Sequence, residues 1–511
     1  MLYMQVLNTL TSAPAGRSSE LAVLLSSRVG INSTNTPAIV ASEVEGLLNQ
    51  DIPYFTVDPA AAFVYSAQGD VVGELVASPL ELMHSKLARM GEDDLARQVR
   101  LVRSAFSATV PDEGMGPVRE VGTPEPDSTT FADLAVKVGM DLAGRVSLDR
   151  FDHLPATWIG PLAAIETDRP WPPGFLGYDL YTGRLGVGLG MARGVRALGS
   201  PLFELVACQL FDNTASILSD ETYDPENIGS MGRGAYTGVA GVAWALWTAG
   251  RTLERSDWCD VATTSLAAIV EAASPERDSK FLDVIAGVPG LFTVARTIGA
   301  PIDLEPLRHR VMAAVVDGLE NYEVNTQSGF AHGLSGLLFH LATTGPVPDV
   351  ITETLMQRLG SFWRPAELNW STNDTHNRAT HGWCHGRAGV TMGVAASGVD
   401  PGTYGLPDLT TLVTAIGEDA TGYNITHCHG DLGNYDMLRW LVTHKTPDLG
   451  HVLEKVQHTL QAGSLSRKLD DPHSRYSLND GLMVGRAGVL LYAAERIDQS
   501  LSISPTTLEV R

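Results

Sequence analysis

Seven stretches between residues 181 and 494 return to one pattern, a G-x-x-G turn followed by an apolar run. They read YTGRLGVGLGMA, YTGVAGVAWAL, IAGVPGLFTVA, AHGLSGLLFHLA, CHGRAGVTMGVA, CHGDLGNYDMLRWL and MVGRAGVLLYAA. Their first glycines are Gly183, Gly238, Gly287, Gly333, Gly386, Gly430 and Gly485, at steps of 55, 49, 46, 53, 44 and 55 residues. A near-constant period of this size is the signature of a repeat architecture, and it leaves room for two helices per unit. The apolar runs carry helical spacing: Val239, Val242, Ala243 and Leu246 share a face, as do Leu334, Leu337, Leu338 and Leu341. The paired glycines would let each helix start pack closely on its neighbours. The pattern predicts an all-α fold, an α/α toroid in which seven helical hairpins make a double ring of about 14 helices. An open helical solenoid is the alternative. Closure is preferred because the chemistry-bearing residues recur at equivalent turn positions, which a ring brings to one mouth.

The repeat also explains how 511 residues fit together, since one ordinary compact core would not serve so long a chain. Residues 1–150 lack it. There EVEGLLNQDIPYFTVDP reads as a helix ended by an extended loop, and SPLELMHSKLARMGEDDLARQVRLVRSAFSA reads as capped helices. Residues 109–130, rich in Pro, Gly and charge, read as a linker. The expected organisation is a helical N-terminal segment over 1–130 and a repeat domain over 150–511, with the boundary near 130–150. The net charge of −23 makes nucleic acid and anionic membranes poor partners. No apolar run is long enough for a transmembrane helix, and the first residues have no basic n-region of a signal peptide. Four scattered cysteines fit a reducing cytoplasm.

Two of those cysteines open successive repeats, as Cys384-His385-Gly386 and Cys428-His429-Gly430. Thiolates and imidazoles suit Zn²⁺. With Cys384, Cys428 and His429 bound, a fourth tetrahedral position stays open, as in catalytic zinc sites. Two thiolates roughly neutralise the ion, so an incoming thiol would be deprotonated yet remain electron-rich. Such a site suits thiol activation better than water activation. His376, His381, His385 and His427 crowd the same loops, and any of them could replace His429. Cys208 and Cys259 read as small buried hydrophobes. Taken alone, Asp283 reads as a helix cap and His332 as a turn histidine.

The WCHG…HCHGDLGN motifs, together with the seven glycine turns, resemble the lanthionine synthetase C-like (LanC-like) cyclases. More closely they resemble the C-terminal part of class II lanthipeptide synthetases (LanM). LLNQDIPYF and LARQVRLVRSAF resemble the tail of that family's dehydratase domain. The resemblance implies an α/α toroid with one zinc ion at its mouth, held by Cys384, Cys428 and His429. It implies intramolecular Michael addition of peptide cysteine thiols to dehydroalanine or dehydrobutyrine, giving lanthionine or methyllanthionine in lantibiotic biosynthesis. The implied partner is a dehydrated precursor peptide, leader plus core, in a bacterial cytoplasm. His332 becomes the acid/base candidate and Asp283 its orienter, and His385 could assist. Residues 1–150 hold no phosphate-cradling Gly-rich loop and no kinase-type catalytic loop, so dehydration is not expected of this chain. The chain would be a fragment, or would work with a separate dehydratase. Two rival functions use the same ligands: thiol addition with glutathione or a small electrophile, and a non-catalytic zinc-stabilised peptide-binding scaffold.

Overall fold

The computed structural model describes residues 37–49, 51–92, 128–147, 156–162, 173–219, 232–273, 280–373, 380–471 and 474–511, with scattered positions between 94 and 102. The expected linker lies mostly outside these residues, as does His376. The chain divides into two compact units, one formed mainly by residues 1–100 and the other by most of the remainder.

The first unit holds α1 (Pro37–Leu48), the antiparallel strands β1 (Thr56–Val57), β2 (Phe63–Tyr65) and β3 (Val71–Glu74), and α2 (Pro79–Ala88). The helix expected in the EVEGLLNQDIPYFTVDP stretch is α1, and DIPYF follows it outside any helix or strand. Ser78 caps α2 with a capping box to Glu81, as the Ser start implied. The small sheet was not expected. Its strands are two to four residues long, too short for an alternating pattern to show.

In the second unit, α3 (Phe131–Arg145) is followed by strands β4 (Ile159–Pro161) and β5 (Pro173–Phe175). Each of the first six repeats then gives an inner helix after its glycine turn and an outer segment of one or two helices on the way back. The pairs are α4 (Arg184–Leu198) and α5 (Pro201–Ser219), α6 (Val239–Leu253) and α7 (Ser256–Ala272), and α8 (Pro289–Ile298) and α9 (Glu305–Gly318). Next come α10 (Leu334–Thr344) and α11 (Asp349–Ser361), then α12 (Arg387–Ser397) and α13 (Leu409–Glu418). The sixth repeat gives α14 (Asp431–His444) with α15 (Gly450–Thr459) and α16 (Ala462–Leu469), and the seventh gives α17 (Arg486–Ile497). Neighbouring inner helices pack in an unbroken circuit, and α17 returns to pack on α4. The ring is closed, as the turn positions implied.

No outer helix follows α17 among the described residues; α3, from before the first repeat, packs on it instead. Arg145 of α3 reaches Asp480 in the turn before α17, and Arg486 reaches Asp141, both at 3.0 Å or less. The helix nearest the expected linker therefore belongs to the ring.

The inner helices are buried on every side. In α6 all residues from Val239 to Leu246 are buried, not only the face predicted from spacing. A helix between an outer layer and its ring neighbours has no solvent face to keep polar. Small residues make this crowding possible. In the first, second and fourth to seventh repeats, the second glycine of G-x-x-G lies against a carbonyl of its own turn. A Cβ at Gly336 would lie 1.9 Å from the Phe330 oxygen, and one at Gly433 1.8 Å from the His427 oxygen.

Short strands β8 (Ile503–Ser504) and β9 (Glu509–Val510) follow α17, and β6 (Trp363–Arg364) and β7 (Asn369–Trp370) link α11 to α12. Residues 505–508 run beneath the inner turns. Tyr236 donates to the Pro505 and Thr506 carbonyls, Trp383 Nε1 to the Thr506 carbonyl and Trp244 Nε1 to the Leu508 carbonyl, all at 2.9–3.1 Å. Trp383 also packs on Tyr236 and Phe330. An aromatic floor with a polar strap thus lies under the turns.

Gly336→Ala is expected to destabilise the protein by about 2 kcal/mol or more, because its methyl would meet backbone. Gly144→Ala, where a Cβ meets nothing within 4 Å, is expected to be neutral or stabilising by up to about 1 kcal/mol. Denaturant titration of both variants checks this. Equal losses would mean that glycine's backbone freedom, and not the close approach, is what matters.

Candidate metal centre and histidine–aspartate pair

The residue two places before the first glycine occupies the same spot in every turn: Tyr181, Tyr236, Ile285, Ala331, Cys384, Cys428 and Met483. At these positions the turns are stitched by backbone hydrogen bonds. Ala331 N donates to Cys384 O (3.1 Å), Cys384 N to Cys428 O (3.3 Å), Cys428 N to Met483 O (2.9 Å) and Met483 N to Tyr181 O (3.0 Å). Tyr181 N then donates to Tyr236 O (3.1 Å), and Tyr236 N to Ile285 O (3.3 Å). Adjacent turns approach so closely that several carry glycine four places before the first glycine. A Cβ at Gly234 would sit 2.0 Å from the Ile285 oxygen, and at Gly329 2.2 Å from the Cys384 oxygen.

This stitching puts the two cysteines side by side although 44 residues separate them. The ligand atoms of Cys384, Cys428 and His429 all lie within 4.8 Å of one another; both cysteines are buried and His429 is partly exposed. Burial and the neighbouring Cys384 sulfur push the Cys428 thiol well above its usual range. Burial also opposes charge on Cys384, but the Cys428 hydrogen bond and the His429 and His385 rings hold it well below its usual range. A cation between the two cysteines would favour ionisation of both sulfurs. Ligands of a tetrahedral zinc ion, at about 2.0–2.3 Å from the metal, stand roughly 3.3–3.8 Å apart. The donor types and their closeness fit such an ion.

The residue just before the first glycine is a histidine in three consecutive turns: His332, His385 and His429. His332 and His385 face each other at 5.8 Å between ring centroids. His332 Nδ1 lies 2.6 Å from Asp283 Oδ2, while Asp283 Oδ1 accepts the Ala286 backbone N–H at 2.8 Å. Asp283 is not the helix cap read from the sequence, since Val288 holds the N-cap position of α8; one of its oxygens closes its own turn and the other holds His332. Burial pulls the His332 pKa down, but the charge and hydrogen bond of Asp283 outweigh it and hold it above the ordinary value. His385 goes the other way, lowered chiefly by burial. Its Nδ1 has no hydrogen-bond partner among the described residues and abuts the space left by Gly329.

Among the described residues, His381 and His427 stand apart from the ligand set. His381 stacks on Tyr423. His427 is buried against Gly488, and burial lowers its pKa to about 4, so it is neutral. Cys208 and Cys259 lie on outer helices and are only partly buried, because those helices keep a solvent face. One residue in the site was missed from sequence. Tyr181 donates its phenol hydrogen to Cys428 Sγ at 2.8 Å. The signal was available: Tyr181 holds the cysteine position in the first turn.

Comparison with known proteins supplies the last observation. The family described as lanthionine synthetase C-like protein matches residues 174–509. A solved structure titled nisin cyclase is similar at 15% sequence identity and a TM-score of 0.47, over 65% of this chain and 91% of that one. A search of curated proteins finds no match.

Asp283→Asn is expected to lower the His332 pKa, since the raising charge of Asp283 would be gone while burial remains. A pH titration of the histidine ring resonances checks this. An unchanged His332 titration would show that Asp283 does not control the imidazole.

Proposed function

The chain belongs to the lanthionine synthetase C-like family, and from that premise we propose that it is a zinc-dependent lanthionine cyclase. It would join a cysteine thiol of a dehydrated precursor peptide to a dehydroalanine or dehydrobutyrine of the same peptide. The observation that carries this reading is the pairing of two adjacent buried thiols and an imidazole with a hydrogen-bonded histidine–aspartate pair one turn away. Cys384, Cys428 and His429 are the proposed ligands of one zinc ion per chain. When bound, zinc would lower the pKa of the incoming thiol and keep its sulfur nucleophilic at neutral pH.

The remaining chemistry falls to the chain's own side chains. In the addition, the peptide sulfur bonds to the β-carbon of the dehydro residue, and the electron pair of the broken π bond moves toward the α-carbon and its carbonyl. The new thioether needs a proton at that α-carbon. His332, held protonated over a wider pH range by Asp283, is suited to deliver it, and the proton lost from the thiol restores the balance. His385, buried and biased toward its neutral form, is suited to accept a proton beside it. Buried surroundings strengthen each of these interactions. Residues 1–130 are proposed to be the tail of a dehydratase-type domain, on the strength of LLNQDIPYF, with dehydration supplied by a separate domain or protein.

The test gives the zinc-loaded protein a precursor peptide already dehydrated by another enzyme. The expected result is loss of free thiol with no change in peptide mass. Thiols that persist as long as in the uncatalysed control would overturn the reading. Cys384→Ala is expected to lower zinc content well below the roughly one ion per chain of the parent, and to stop thioether formation, while the helical circular dichroism is kept. Loss of the fold instead would point to a structural metal. His332→Ala is expected to slow the reaction about 10²- to 10⁴-fold with zinc content unchanged. In the parent, the rate should fall as pH rises through the elevated His332 pKa. In Asp283→Asn that fall should move to lower pH.

A further inference from the structure

The two candidate ligand sulfurs are not equivalent. Cys384 Sγ faces Cys428 and His429. Cys428 Sγ also receives the phenol O–H of Tyr181 at 2.8 Å. The donor is held firmly. The backbone of Tyr181 is tied to Cys428 through a single intermediary, Met483, whose N–H donates to Tyr181 O and whose carbonyl accepts from Cys428 N. On its other side Tyr181 N donates to Tyr236 O. The hydroxyl therefore reaches across one turn of the stitched ring, from the first repeat to the sixth. Position alone does not explain this use, because the equivalent hydroxyl of Tyr236 points down to the Pro505 and Thr506 carbonyls.

A hydrogen bond withdraws electron density from a thiolate and occupies one of its lone pairs. In the proposed reaction three sulfurs meet at one ion, two resident and one from the peptide, and only the third should react. We propose that Tyr181 is a positioning residue of this centre: its phenol hydrogen bond anchors Cys428 as a ligand and damps its reactivity, leaving the peptide sulfur the more nucleophilic. The inference rests on the assignment of Cys428 as a metal ligand.

The test uses cobalt(II) in place of zinc, because thiolate-to-cobalt charge transfer reports the donor strength of the sulfurs without turnover. In the parent protein, thiolate-to-cobalt bands are expected. Tyr181→Phe keeps the ring and removes only the donor. Its bands should move to lower energy, and its cobalt should be lost to a competing chelator at about 10-fold lower chelator concentration. Iodoacetamide should alkylate Cys428 faster in the metal-loaded variant than in the parent, as mapped by peptide mass. Should Tyr181→Phe not fold, parent protein grown with 3-fluorotyrosine replaces it; its stronger phenol donor should move the bands to higher energy. Bands, chelator competition and alkylation all unchanged in Tyr181→Phe, or unmoved bands in the fluorotyrosine protein, would overturn the role of Tyr181 and leave the metal assignment standing. Absence of any thiolate-to-cobalt band in the parent would overturn the metal assignment itself, and the inference with it.

Discussion

The backbone hydrogen bonds that stitch one turn to the next are the interaction on which the rest of the second unit depends. They run from Ala331 through Cys384, Cys428, Met483, Tyr181 and Tyr236 to Ile285, always at the same place in the repeat. A polar backbone buried at the centre of an all-helical ring must find partners, and the inner helices have used theirs internally. Each turn solves the problem for its neighbour. The solution demands close approach, and the glycines meet that demand. Gly234 and Gly329 leave space for the carbonyl of the next turn, and glycines such as Gly336 and Gly433 let the helix start fold back on its own turn. The G-x-x-G period is the imprint of this geometry on the sequence.

A ring stitched in this way makes sequence position equivalent to place. Residues two before the first glycine line one level, and residues one before it line another. Chemistry is then written by substitution along an arc. Cysteines at the first level in the fifth and sixth turns, and histidines at the second level in the fourth, fifth and sixth, converge with no loop specialised to carry them. Asp283, from the third turn, extends the arc by one step to hold His332. The opposite arc keeps Tyr181, Tyr236, Ile285 and Met483 at the cysteine level.

What could be read from the sequence follows the same division. What repeats was legible: the inner helices, closure of the ring and the adjacency of Cys384 and Cys428, whereas the pairing of His332 with Asp283 was implied by the family resemblance alone. What occurs once was not legible. Helix α3 completes the outer layer beside α17, but no repeat motif marks its Phe131–Arg145 sequence, and its place shows only in three dimensions, in its packing on α17 and the Arg145–Asp480 and Arg486–Asp141 pairs. The three-stranded sheet of the first unit has strands too short for periodicity. The strap at 505–508 carries no motif, since it is held largely through its carbonyls, which any residue can supply. The burial of the inner helices was underestimated for a related reason. Spacing reports one apolar face, whereas Ala, Gly and Thr on the other faces pack without raising hydrophobicity.

The strap bears on why the site is held so firmly. Trp383, the residue before Cys384, donates to the Thr506 carbonyl and packs between Tyr236 and Phe330. Thr506 in turn bonds Asp436 of α14, the helix that begins just after Cys428 and His429. Asp436 is buried, accepts from Ser504 at 2.7 Å and pairs with Arg439, and although burial opposes its charge, Arg439 and these hydrogen bonds hold its pKa below the usual carboxylate range. One buried carboxylate and one strand of backbone thus connect the supports of both cysteine-bearing turns from below, while the backbone stitching connects them at the level of the sulfurs. A metal site needs its ligands fixed to within a fraction of an ångström. The two cysteine-bearing turns are thus braced at two heights, and the ring itself brings the sulfurs together.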